Sequence, residues 1–131
     1  MGQSKESVSI LIVDDSEHVR ALLTMLMKKE GIVKVHQVTD GESAVSTYKQ
    51  IRPSLVFLDN MLPKLSGMEV LKQIHTFDPS AIVVMISAIS SPEVILEAKQ
   101  NGASYYLIKP YSSQKVIEVL KKLLNITGEQ A

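Results

Sequence analysis

The run Leu55-Val56-Phe57-Leu58 is the feature that most limits what this chain can fold into. Four consecutive large apolar residues between Pro53 and Pro63 suit a strand buried on both faces, as in parallel α/β sheets. The run stops at Asp59 and passes into a turn. A carboxylate at the C-terminal end of such a strand stands where open α/β sheets bind ligands. Asp59 is therefore the first candidate site residue.

Other segments have the patterns of strands and helices. The further strand candidates are Val8 to Val13, Val33 to Val38 with an edge-strand alternation, Ile82 to Ile86, and Tyr105 to Ile108. The helix N-cap candidates are Ser16, Asp40, Ser66 with Glu69 as a capping box, Ser91 before Pro92, and Ser112 or Ser113. Apolar residues at helical spacing follow each cap, so the chain predicts five strands alternating with five helices. That alternation predicts a parallel sheet covered on both faces, in the flavodoxin-like doubly wound order 2-1-3-4-5.

Length and composition predict one domain. A chain of 131 residues can bury one core, and we expect it to span residues 8–126 between flexible tails at 1–7 and 127–131. Basic and acidic residues both number 14, which disfavours broad binding to nucleic acid or to membrane surfaces. The absence of cysteine excludes thiolate chemistry and Cys-based metal sites. No run is long enough to span a bilayer and no signal peptide is evident, so we expect a cytoplasmic protein.

Reactive side chains converge in the predicted sheet. Asp14-Asp15 end the first strand and Asp59 ends the third, and these two strands are neighbours at the switch point of the 2-1-3-4-5 order. Ser87 and Lys109 end the fourth and fifth strands on the same rim. Carboxylates this close together require a compensating cation, and oxygen ligands without His or Cys select Mg²⁺, or Mn²⁺ in its place. Phosphoryl transfer onto Asp59 is the chemistry that uses every one of these groups.

The same residues carry a resemblance to a known family. They are Asp14-Asp15, Asp59 with Leu62-Pro63 and Gly67 after it, Ser87-Ala88, and Lys109-Pro110 with Tyr106 before it. Over nearly the whole chain this pattern resembles a receiver domain of two-component response regulators, close in size to the single-domain chemotaxis type. The combination is highly specific, although each piece alone would be weak.

The resemblance implies a phosphoacceptor that is not a conventional enzyme but catalyses its own aspartyl phosphorylation and dephosphorylation. Asp59 would take a phosphoryl group from a phosphohistidine on a sensor histidine kinase or a histidine phosphotransfer protein. Asp15 and Asp59 would ligate Mg²⁺ with the Met61 backbone carbonyl, and Asp14 would act largely through water. Lys109 would pair with the phosphoryl group.

The resemblance also implies a conformational switch. Ser87 would turn toward the phosphoryl oxygens, and Tyr106 would move inward along a path that the small Ala88 leaves open. The signal would leave through the surface of the fourth helix, fifth strand and fifth helix, where Ile95, Tyr106 and Tyr111 are candidate contacts for a protein target. The Lys109-Pro110 peptide bond is expected to be cis.

Two apolar residues are expected to modulate the chemistry. Met61 stands two positions after Asp59, and Ile89 stands two after Ser87. The entrance that an attacking water would use is then apolar. We expect slow self-dephosphorylation.

Rival functions remain to be compared. A haloacid-dehalogenase-type phosphatase needs a second Asp where this chain has Met61, and the loop of a flavodoxin-like electron carrier must hold a phosphate that Asp14-Asp15 would repel. A phosphorylation-independent receiver-like interaction or dimerisation module is the stronger alternative. The predicted protein is a monomer or a phosphorylation-dependent dimer, with no direct contact to nucleic acid or membrane. The sequence does not identify its kinase or its downstream target.

Overall fold

The fold is a parallel sheet with helices on both faces. The computed structural model describes residues 5–125. Its strands are β1 (Ser9–Val13), β2 (Lys34–Val38), β3 (Leu55–Asp59), β4 (Val83–Ser87) and β5 (Tyr105–Ile108). Its helices are α1 (Glu17–Lys29), α2 (Gly41–Ile51), α3 (Gly67–Phe77), α4 (Pro92–Gln100) and α5 (Ser113–Leu124). All strand pairs are parallel and the order is β2-β1-β3-β4-β5, so the predicted fold class is confirmed.

Local capping signals start the helices where the sequence predicts. The Ser16, Asp40, Ser66 and Ser91 side chains each accept a hydrogen bond from a backbone N–H of the first turn. The open choice at α5 is resolved as Ser112, whose Oγ accepts from the Lys115 N–H at 3.0 Å. These bonds satisfy amide groups that the helix itself leaves without partners.

Alternating residues of the strands build two cores, one on each face of the sheet. Ile10, Ile12 and Phe57 belong to the core beneath α1 and α5. On the other face, Leu11 and Leu58 pack beneath α2 and α3. The central strands β1, β3 and β4 are buried almost throughout, whereas β2 at the margin is largely exposed.

Several boundaries differ from the predictions. Lys5–Ser7, which were predicted to belong to the N-terminal tail, form a 3-10 turn closed by the Val8 N–H and the Lys5 carbonyl. The strand predicted at Ile82 to Ile86 is Val83–Ser87, so Ser87 is its last residue. The helical spacing predicts an inward face of α5 formed by Val116, Ile117, Leu120, Leu123 and Leu124, and the structure also buries Val119. The predicted tail at 127–131 and residues 1–4 lie outside the described part of the chain.

A candidate phosphoacceptor and metal site

The carboxyl ends of the strands bring the predicted acidic residues together. Val13 pairs with Leu58, so Asp14 and Asp15, which follow β1, lie beside Asp59 at the end of β3. One carboxylate oxygen from each of the three acids lies within 4.8 Å of the others. Asp14 is 2% and Asp59 6% exposed, while Asp15 is exposed at the rim. The cluster therefore reaches solvent through Asp15.

Backbone amides orient the two buried acids. The Ser16 N–H donates to Asp14 Oδ1 at 2.8 Å, and the Met61 N–H donates to Asp59 Oδ1 at 3.2 Å. Each acid thus accepts a bond from the turn that follows its own strand. Short local bonds of this type hold Asp side chains in one rotamer.

The electrostatics of Asp59 favour an added cation. Burial raises the pKa of Asp59, and the Asp14 and Asp15 charges raise it further. The Met61 N–H and the Lys109 ammonium act in the opposite direction. An ionised Asp59 is therefore costly, and a positive ion among the acids would offset that cost.

The donor set fits Mg²⁺. Ligand oxygens on opposite sides of Mg²⁺ lie about 4.2 Å apart, since each bond is about 2.1 Å long. One oxygen from each acid lies within 4.8 Å of the others, which is comparable to that span. All three donors are hard carboxylate oxygens, which suit Mg²⁺ or Mn²⁺ better than zinc.

The other predicted site residues surround this cluster. Ser87 is fully buried at the end of β4, and its backbone carbonyl accepts from the Lys109 N–H at 2.9 Å. This bond ties the loop after β5 to β4. The Lys109-Pro110 peptide bond is cis.

Ile89 links the two residues named for the switch. The Ile89 N–H donates to Ser87 Oγ at 3.0 Å, and the Tyr106 hydroxyl donates to the Ile89 carbonyl at 2.8 Å. Tyr106 is 8% exposed, so its ring lies in the core beneath α4. A displacement of Ser87 would therefore affect the position of Tyr106 through the two hydrogen bonds of Ile89.

The proposed modulating and contact residues are arranged unevenly. Met61 is 66% exposed, so its side chain stands at the rim of the site. Tyr111 is half-buried, and its pKa is raised by burial and by the charges on Asp14 and Asp59. It therefore lies near the acidic cluster, although the sequence suggested only a partner contact.

Sequence reasoning missed Arg20. Its Nη1 donates to the backbone carbonyl of Asp14 at 2.9 Å. No motif in the sequence singles out an arginine in the second turn of a helix. Its place as the fourth residue of α1, five residues after Asp15, was the available signal.

Comparisons with known proteins give matches over most of this chain. Residues 10–121 match the family model described as the response regulator receiver domain. The chain is 32% identical to the chemotaxis protein CheY of Thermotoga maritima, over 87% of this chain and 95% of the relative. It is 34% identical to the sporulation initiation phosphotransferase F of Bacillus subtilis, over 88% of this chain and 92% of the relative. A chain in the crystal structure of the CheX–CheY–BeF3–Mg²⁺ complex from Borrelia burgdorferi aligns with a TM-score of 0.86 and 32% identity, covering 90% of each chain.

Proposed function

The chain belongs to the response regulator receiver domain family, and from this premise we propose that Asp59 accepts a phosphoryl group from a phosphohistidine donor in two-component signalling. The donor would be a sensor histidine kinase or a histidine phosphotransfer protein. The observation that carries this proposal is the cluster of Asp14, Asp15 and Asp59 oxygens within 4.8 Å of one another, with Asp59 buried. As a receiver domain the chain is a phosphoacceptor and not a conventional enzyme.

Each residue of the site has a role in the proposed phosphoryl transfer. An Asp59 carboxylate oxygen attacks phosphorus, and the P–N bond to the donor imidazole breaks with its electron pair moving to nitrogen. Asp15 and Asp59 would hold Mg²⁺ with the Met61 carbonyl, and Asp14 would act through water. When bound, Mg²⁺ supplies positive charge for the incoming phosphoryl oxygens.

Lys109 and Ser87 complete the site. The Lys109 ammonium pairs with the phosphoryl group, and the Ser87 hydroxyl donates to one of its oxygens. In making that bond, Ser87 Oγ would release the Ile89 N–H that it now accepts at 3.0 Å. Because Ile89 also holds Tyr106, this exchange is a physical route from the phosphoryl group to the surface.

The output surface in this proposal is formed by α4, β5 and α5. Leu96 on α4 and Ile108 on β5 are large apolar side chains that are 55% and 41% exposed. Ile95 and Tyr111 are the contact candidates nearby, whereas the third candidate, Tyr106, is buried at 8% exposure and offers a partner little surface in this structure. Large apolar side chains left in water favour a protein partner. Its identity is open, and the protein would act as a monomer or as a phosphorylation-dependent dimer in the cytoplasm.

Intact-mass spectrometry tests the proposal. The protein is incubated with acetyl phosphate and Mg²⁺, and we expect a mass gain of one phosphoryl group. The gain should disappear in Asp59→Asn and should persist in the control Asp40→Asn, since Asp40 caps α2 and is not one of the three clustered acids.

The alternative function predicts a different result. A phosphorylation-independent interaction or dimerisation module would gain no mass under any condition. It would also keep its partner contacts in Asp59→Asn. Absence of a phosphoryl gain in the unaltered protein would therefore overturn the proposal.

Among residues 5–125, none of the helices combines the length and the apolar composition that a membrane span requires.

A further inference from the structure

Arg20 connects the acidic turn to the neighbouring strand. Its Nη1 donates to the Asp14 carbonyl at 2.9 Å, and its Nε donates to Gln37 Oε1 at 3.1 Å. Gln37 lies on β2, and its Nε2 donates to Thr24 Oγ1 on α1 at 3.0 Å. The guanidinium is thus held between β1, β2 and α1 by directed bonds.

The bond to the Asp14 carbonyl controls more than one atom. Because a peptide unit is planar, fixing the Asp14 carbonyl fixes the plane that joins Asp14 to Asp15. That plane sets ψ of the first acid and φ of the second, and so the directions of both side chains. The last bond to the neighbouring strand before this peptide is from the Asp14 N–H to the Val38 carbonyl, at 3.2 Å. Arg20 bonds the same acid one peptide further along the chain, where the strand pairing has ended.

We propose that Arg20 is a positioning residue, held by Gln37, that orients the peptide between Asp14 and Asp15 so that both carboxylates face the metal site. This inference rests on the proposed function, because it assumes that the acidic cluster binds Mg²⁺. The guanidinium bonds backbone oxygen, so it supports the acids without neutralising them. Supporting contacts of this kind change metal affinity although they do not touch the metal.

If Arg20 acted only through its charge, its removal would change the Mg²⁺ affinity in the opposite direction from the change that positioning predicts. A fixed positive charge near a cation site disfavours the cation, so removal of Arg20 without any loss of geometry would leave Mg²⁺ affinity unchanged or increase it. Positioning predicts a loss of affinity. The direction of the change therefore separates the two effects.

The test is Mg²⁺ binding to the full chain, measured by calorimetry. In Arg20→Met we expect the affinity to fall by about tenfold, the lower end of the range for supporting contacts. The Mg²⁺ affinity of Arg20→Lys should lie between those of Arg20→Met and the unaltered protein, since an ammonium reaches a carbonyl but lacks the rigid fork that bonds two acceptors. In Gln37→Leu, which keeps all charges, we expect a smaller fall in the same direction. The control Arg52→Met removes an equal charge from the end of α2 and should change the affinity less than about twofold.

Two further readouts distinguish positioning from general destabilisation. Acetyl phosphate labelling of Arg20→Met should recover its normal rate at saturating Mg²⁺, because Asp59 itself is intact. Without metal, the Ser16 amide, which donates to Asp14 Oδ1, should exchange with solvent faster in Arg20→Met, while the core amides of β3 remain protected.

The outcomes are separable. Affinity in Arg20→Met equal to or higher than in the unaltered protein overturns the inference, and an unchanged affinity in Gln37→Leu overturns the role given to Gln37. A labelling rate that stays low at saturating Mg²⁺ also counts against positioning. If the unaltered protein binds no Mg²⁺, the proposed function falls and this inference falls with it.

Discussion

Gly67 is the most tightly constrained residue near the phosphoacceptor. It begins α3, and its N–H donates to the Asn60 carbonyl at 3.0 Å. A Cβ at this position would collide with the Asp59 carbonyl oxygen and would lie 2.6 Å from the Asn60 Cα. These neighbours are backbone atoms, so no side-chain rotation relieves the collision. We therefore expect Gly67→Ala to displace the end of β3 together with Asp59.

The magnitude follows from what must move. Overpacking of this kind costs about 1–3 kcal/mol. Displacing Asn60 also weakens its N–H bond to the Ile86 carbonyl, at 3.2 Å, and the bond from Gly67, each worth about 1 kcal/mol. Alanine lowers the conformational entropy of the unfolded chain relative to glycine, which stabilises the folded state by about 0.4–1 kcal/mol. The expected decrease in the free energy of unfolding is therefore about 2–5 kcal/mol.

Urea unfolding followed by circular dichroism measures this change, with phosphorylation by acetyl phosphate as the functional readout. We expect Gly67→Ala to lower the unfolding midpoint and to label more slowly. The control is Ser113→Ala, an exposed residue at the same first position of α5, which should change stability by less than about 0.5 kcal/mol. If Gly67→Ala unfolds within about 0.5 kcal/mol of the unaltered protein, the steric argument is refuted.

Three other changes have defined outcomes. The Tyr48 hydroxyl donates to Asp78 at 2.8 Å and lowers the pKa of Asp78. The stability that this bond adds is therefore present above the unfolded pKa of about 3.9, and it is lost as pH falls through the folded pKa. Tyr48→Phe should thus cost about 1 kcal/mol at pH 7 and less at pH 3 in urea unfolding, and an equal cost at both pH values would contradict this. If the apolar rim excludes water, Met61→Asn should shorten the lifetime of the phosphorylated protein followed by intact mass, and a lifetime of only seconds in the unaltered protein would argue against slow dephosphorylation. The Lys72–Glu97 ion pair is 4.0 Å long between half-exposed side chains, so Lys72→Ala should change stability by less than about 0.5 kcal/mol, and a loss above about 1 kcal/mol would show that the pair is undervalued.

Local patterns were sufficient to predict most of the elements. The cap of α4, for example, needs only Ser91 and the Val94 N–H, which are three residues apart. The buried strand before Asp59 is likewise a continuous apolar run in the sequence. Signals of this range are complete within a few residues, so they can be read without coordinates.

Element ends were less well predicted for a related reason. Ser87 continues β4 because its carbonyl is bonded by the Lys109 N–H of the next crossover unit. Val119 is buried because α5 is covered by the sheet over a wider face than its apolar stripe suggested. In both cases a neighbouring element, and not the segment itself, decides the outcome.

The order of strand ends along the chain determined that acids, a hydroxyl and a lysine would share one edge of the sheet, because parallel strands all end at the same side. Only the tertiary structure decided what supports them. The bond from Arg20 to Gln37 joins residues 17 apart, and the backbone of Asp59 leaves room for nothing larger than glycine at position 67. Such contacts depend on how whole elements pack in three dimensions, and no short stretch of sequence contains that information.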